Sequence, residues 1–169
     1  FYSSRVVVFA FFFCLIGLFI KMAMFPVHGW LPNAYSYMPT AASGLIAALT
    51  TKVMIYVMIR ISLLVFTPSF VFVNTLLTSA MVWLAVIAIV AGSILALAQK
   101  SLTRMLTFII VAEVGYMVGG FWLGNRDGIT GSVLHIVNDA AMTLCLFLAV
   151  GSIRFRLKSD RFSDLNGLF

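Results

Sequence analysis

Five ionisable side chains stand inside long apolar runs of this 169-residue chain: Lys21, Lys52, Glu113, His135 and Asp139. A charge at membrane depth costs roughly 2.5–3.5 kcal/mol or more, so each of these groups is expected to face protein or a water-filled path. Lysines, an acid and a histidine–aspartate combination are residue types that move protons. Desolvation weakens a lysine's hold on its proton and a nearby carboxylate strengthens it, so shifting the partner loads or unloads the lysine. Imidazole relays protons near neutral pH, and water bridges gaps too long for direct hydrogen bonds. His135 and Asp139 are four residues apart and share one face of a helix, with Thr143 one turn further along. Plainer roles exist for each group. Lys21 could snorkel to an interface. Lys52 could form a structural pair with Glu113 or Asp139. Glu113 could neutralise a lysine or stay protonated.

Those groups need spanning helices to hold them. Hydrophobic residues make up 63% of the chain and charged residues 9%. Soluble domains carry about 25% charged residues, so a water-soluble fold is excluded. Runs of about 20 apolar residues cross a hydrocarbon layer of about 30 Å as helices. A β-barrel would instead show roughly ten-residue segments of alternating polarity. The expected fold is an all-α polytopic transmembrane bundle of five spans, at about 5–25, 40–66, 73–98, 102–123 and 130–153. A basic tail, 154–169, follows them. The first span is expected to be a broken helix. Lys21 is followed by Pro26, His28, Trp30 and Pro32. A proline there ends the helix just past the charge, and freed backbone is tolerated in a bilayer only where protein or a cavity satisfies it. Broken helices beside a buried charge are a mark of transporters. A short amphipathic segment, 28–38, comes next.

Alternating spans put Lys100, Arg104, Arg154, Arg156, Lys158 and Arg161 on one side, against Arg5, Arg60 and Arg126 near the other. Cytoplasmic loops carry the excess of Lys and Arg, which makes segment 26–39 and the tail cytoplasmic. The net charge of +6 is therefore a topology signal rather than a sign of nucleic-acid binding. Cys14 and Cys145 sit inside apolar runs with no metal-ligand spacing and no disulfide signal. Gly115, Gly119 and Gly120 suggest a close helix contact. No phosphate loop, nucleophile triad, zinc pattern or haem motif is present. No metal and no cofactor is expected in this chain.

One resemblance runs through these residues. Lys21 to Asn33, then Pro39-Thr40 and Ser43, then Lys52 with Tyr56 and Arg60, resemble the antiporter-like membrane subunits of respiratory complex I, of Mrp cation/proton antiporters and of membrane-bound hydrogenases. Gln99–Leu106, Gly115-Tyr116, His135 and Leu146–Ser152 resemble that family's later signatures. The resemblance covers nearly the whole chain. It implies an internal piece of a longer subunit, in which Lys21 sits on the broken helix of a half-channel and Lys52 is the connecting lysine. His135 then leads to a second half. It also implies an integral protein of a bacterial or archaeal plasma membrane. Its partners would be the lipid bilayer, other membrane subunits and, in redox complexes, a peripheral redox arm. Asn33, Glu113, Asp139 and Thr143 depart from the usual family residues. The expected function is proton translocation, or sodium/proton exchange, in a complex I-like pump or Mrp-like antiporter. Any redox chemistry would belong to other chains. The alternative is a non-conducting structural anchor for a soluble redox arm.

Overall fold

A computed structural model of the chain describes residues 5–165, the side chains of Thr40 and Ala41 aside. It is helical throughout: α1 (Arg5–Met22), α2 (Trp30–Tyr37), α3 (Thr40–Arg60), α4 (Pro68–Val71), α5 (Thr75–Leu97), α6 (Leu102–Trp122) and α7 (Arg126–Leu157). A wider turn, Ile61–Val65, extends α3, and a short 3-10 turn, Phe162–Leu165, follows α7. Five helices are long and apolar enough to cross a membrane: Arg5–Met22, Ala42–Val65, Thr75–Leu97, Leu102–Trp122 and Arg126–Leu157.

The ends of these spans are set by caps. The first helix stops at Met22, ahead of the 5–25 limit expected from Pro26. Ala23 takes the left-handed conformation, at φ 59°. Its N–H donates to the Ile20 carbonyl and the Met24 N–H donates to the Phe19 carbonyl. This pair of bonds is a Schellman closure, which satisfies carbonyls that a helix end otherwise leaves open. The fifth span begins at Arg126 rather than 130, because the Asn125 side chain accepts the Gly128 N–H at 2.7 Å and caps the helix there. It also continues past 153 to Leu157 and stops where Lys158 turns left-handed, at φ 54°. Arg154 and Arg156 thus lie in its last turn, where cations suit the helix dipole.

α6 is the centre of the packing. In its spanning window 61% of residues are buried, against 39% or less in each other span. α5 lies along one side of it. Ala85, Ala88, Gly92 and Ala96 form the buried stripe of α5. A Cβ on Gly92 would meet the Ala112 backbone nitrogen at 2.8 Å, and one on Gly115 would meet the Ala85 carbonyl oxygen at 3.0 Å. The backbones approach as closely as small-residue membrane contacts allow. α7 lies along another side. Gly120 leaves room there for Ser132, whose hydroxyl donates to the Met117 carbonyl at 2.8 Å. The glycines singled out in the sequence therefore serve two interfaces. α3 packs along α7 and α1 against α3.

The two ends of the bundle are distinct. At one, Arg104 donates to the Asn33 side chain at 3.1 Å, and Ser101 pairs with Arg161 in an isolated bridge. The segment after α7 folds back here. The Asp160 carboxylate accepts from Ser101 Oγ at 2.8 Å and faces the start of α6, while its carbonyl takes the Leu102 N–H. At the other end Phe11 packs on Phe66 and Phe70, and Phe72 packs on Phe121 and Trp122. This grouping is the one that alternating spans require.

Two outcomes follow from this packing. Gly92→Ala should destabilise the protein by about 1–3 kcal/mol, because backbone rather than a flexible side chain blocks the new methyl. Thermal unfolding in detergent measures it. Burial pushes the Asp160 carboxyl up, but hydrogen bonds from Thr103 and Ser101, with Arg154 nearby, outweigh it and hold the group below its ordinary range. A depressed carboxylate stabilises the fold above its unfolded pKa and loses that contribution as pH falls through the folded value. Acidification below the ordinary carboxylate range should therefore release segment 158–165, seen as lower amide protection once exchange is corrected for its intrinsic pH dependence. Asp160→Asn should lower that protection at neutral pH and flatten its pH dependence.

Candidate functional site

Four helices carry the ionisable groups. Lys52 lies past the middle of α3, Glu113 near the middle of α6, and His135 and Asp139 on α7, while Lys21 is in the last turn of α1. The structure sorts four of them into two pairs.

The first pair is sealed. Lys52 and Asp139 are each 2% exposed, and Lys52 Nζ lies 2.9 Å from Asp139 Oδ2. Lys52 also donates to Thr143 Oγ1 at 3.1 Å and, at 3.5 Å, to the Ala47 carbonyl of its own helix. Thr143 in turn donates to Asp139 Oδ1 at 2.9 Å. Three oxygens therefore surround the ammonium, and Thr143 touches both charged partners. The sequence singled out Lys52 and left open whether its partner is Glu113 or Asp139. The partner is Asp139. Thr143 lay outside the candidate set, although its spacing of four from Asp139 was the signal that it shares the face.

The second pair is more open. His135 Nε2 lies 2.6 Å from Glu113 Oε2, with side chains 30% and 17% exposed. Tyr116 presents an edge to the imidazole, with ring centroids 6.1 Å apart. His135 and Asp139 share one face of α7, as their spacing predicts, yet they serve different partners on α6 and α3. One turn of α7, about 6 Å of rise, separates the two pairs along the axis. A neutral imidazole beside a carboxylate can take a proton on one side and give it up on the other, and the sealed pair next to it can exist as two charges or as none. The arrangement suits proton transfer between neighbouring groups better than binding of a small molecule.

Lys21 stands apart. It is exposed, and among the described residues no carboxylate pairs with it. The helix break behind it is packed inside protein: Met22, Ala23 and Met24 are fully buried. Trp30 Nε1 donates to the Ile20 carbonyl at 2.8 Å, so a side chain beyond the break helps close the end of α1. Sequence reasoning placed Trp30 in the run that follows the break and missed this bond. His28 stacks on Phe25, with ring centroids 5.3 Å apart, and meets Phe108 of α6 edge-on. Pro32 is buried in α2. Pro26 follows the break rather than making it.

The family model for the transmembrane region of NADH:quinone oxidoreductase and Mrp antiporters matches residues 1–169. NADH-quinone oxidoreductase subunit N of Desulforudis audaxviator is 41% identical over 166 residues, covering 98% of this chain and 33% of that protein. Subunit M of Rhodobacter capsulatus is 34% identical over 149 residues, covering 88% of this chain and 28% of that protein. Among solved structures, a chain of the Mrp complex from Dietzia sp. superposes with a TM-score of 0.87 at 28% identity, covering 94% of this chain and 29% of that one. The chain thus spans about a third of the length of the curated relatives it matches.

Removing one partner from a sealed ion pair strands the other charge. Asp139→Ala should therefore destabilise the protein by about 3–5 kcal/mol, and the apolar double replacement Lys52→Met with Asp139→Leu should recover most of that loss. Unfolding midpoints of the two variants in detergent, compared with the parent, check the pair.

Proposed function

The chain belongs to the NADH:quinone oxidoreductase/Mrp antiporter membrane family, and on that footing we propose that it carries part of a proton path across a membrane, as one subunit of a redox-driven pump or a cation/proton antiporter. The observation that carries this reading is the Lys52–Asp139 pair, closed inside the bundle between α3 and α7. A buried pair of this kind is weak support for stability alone, since apolar residues of similar volume do as well. It has a use where a proton must be held and passed on.

In this reading Lys21 is the switching residue at the helix break, and Lys52, Asp139, His135 and Glu113 form the path. Water bridges the turn between the two pairs. The carboxylate that answers Lys21 comes from outside the described residues. The end of the bundle that gathers Asn33, Lys100, Arg104 and the segment after α7 faces the cytoplasm, following the excess of basic residues there. Segment 26–39 and the tail 154–169 lie on that side, in the plasma membrane of a bacterium or archaeon. The partners are the lipid bilayer and other membrane subunits. In a redox-driven host a peripheral arm supplies the electrons and binds the cofactors. In an antiporter host sodium is exchanged for the proton.

One observation favours a second reading, the non-conducting anchor for a redox arm. Lys52 is already neutralised by a direct carboxylate, and among the described residues no carboxylate pairs with Lys21. Lys21→Ala separates the two. In the complete protein within its own membrane, this change should abolish coupled proton movement in inverted vesicles while the complex still assembles. Undiminished proton movement in the assembled variant would leave the anchor standing and remove the switching role.

A further inference from the structure

We propose that the hollow between the start of α6 and the segment after α7 binds the headgroup of an anionic phospholipid. The hollow has a volume of about 870 Å³, with Lys100, Ser101 and Arg104 on one side and Arg161 and Phe162 on the other. That volume is in the range of small-molecule sites. Its two sides are tied together. The Phe162 N–H donates to the Lys100 carbonyl at 3.2 Å, the Leu102 N–H donates to the Asp160 carbonyl at 2.9 Å, and Ser101 Oγ donates to Asp160 Oδ2 at 2.8 Å. These bonds gather Lys100, Arg104 and Arg161 around one opening. Among the described residues no carboxylate lies within ion-pair distance of any of the three. Asp160 is bonded to Ser101, and Asp164 to Ser159 and Ser163. Arg104 gives one N–H to Asn33 and keeps the rest of its fork. Residues 99–104 and 154–165 hold six cations against two carboxylates, so this end of the bundle is short of negative charge. A phosphate group supplies it, and a guanidinium fork matches phosphate oxygens in geometry.

The surface beside the hollow points to a phosphate that carries acyl chains. α5 ends at its edge, and the two sides of α5 differ. Ala85, Ala88, Gly92 and Ala96 form the side buried on α6. Val90, Ile94 and Leu97 form an outward row at helical spacing, exposed at 53%, 61% and 85%. Helices in a membrane meet one another through small residues, and α5 has placed its small residues on α6. The bulky outward row suits acyl chains. A free phosphate has no use for that row, whereas a phospholipid seated in the hollow lays a chain along it. The hollow also lies at the right depth. One span ends at Leu97 and the next begins at Leu102, so Lys100 and Arg104 stand where headgroups meet hydrocarbon. Basic pockets at such helix ends bind anionic headgroups. The assignment does not depend on the proton path.

The test uses the complete protein, purified in detergent and stripped of lipid. It is titrated with phosphatidylglycerol, phosphatidylcholine and glycerol phosphate, and binding is read from the rise in unfolding temperature. Phosphatidylglycerol should bind most tightly. Lys100→Gln and Arg161→Gln should each weaken its binding about fivefold. Arg156→Gln, which removes a cation of α7 that does not line the hollow, should leave binding unchanged. All three replace exposed side chains, and their unfolding temperatures without lipid check that the fold is kept. An equal response to phosphatidylcholine overturns the proposal, because the apolar row alone then binds. An equal response to glycerol phosphate overturns it in favour of a soluble anion. Undiminished phosphatidylglycerol binding in the double variant Lys100→Gln with Arg161→Gln places the lipid elsewhere and overturns it as well. So does an equal loss with Arg156→Gln, which would make the effect one of general surface charge.

Discussion

An ammonium held away from water must have an anion beside it, and much of this bundle can be read as the means of bringing one to Lys52. The lysine is on α3 and the aspartate is on α7, 87 positions later in the chain. α7 has to run along α3 at the depth where Lys52 lies, and it does so while also packing on α6. The close fit of α5 on α6 leaves α6 a fixed surface for α7 to lean on, and Ser132 in the space over Gly120 sets where along α6 it leans. From there, one turn brings His135 to Glu113 and a second brings Asp139 to Lys52.

The broken first helix meets a related constraint by other means. Interrupting a helix in hydrocarbon exposes carbonyls that nothing in lipid can satisfy. Here the loose carbonyls of Phe19 and Ile20 are taken by the backbone of Ala23 and Met24 and by the indole of Trp30. The break is a closed structure, buried at Met22, Ala23 and Met24. It turns the chain just after Lys21 without asking Lys21 to stabilise the turn.

Much of the fold was legible because its signals are local. Apolar run lengths gave five spans, and small residues marked two helix contacts. Limits were misjudged where a cap acts. Pro26 looks like the end of the first span, but a proline marks only where a helix cannot continue, and Ala23 had already ended it. The stretch between the fourth and fifth expected spans, 124–129, read as loop, whereas the Asn125 side chain accepts the Gly128 N–H and starts a helix there. Candidate residues were legible through the cost of burying them, which singles out Lys52, Glu113, His135 and Asp139 whatever their partners. Pairing was not legible, since periodicity places His135 and Asp139 on one face without saying which neighbour each meets. A hydroxyl such as Thr143 costs little to bury when bonded, so it gives no comparable signal.

α7 has 32 residues, about 48 Å of helix, and the hydrocarbon layer is about 30 Å thick. A rod longer than the slab it crosses must lean or protrude. The contacts of α7 follow a slanting course, against α6 at Ser132 and His135 and against α3 at Asp139, with Phe147 beside Gly44 of α3. The excess length works as a diagonal brace: one helix, set obliquely, reaches two neighbours in turn and puts their buried acids and bases in line along its own axis.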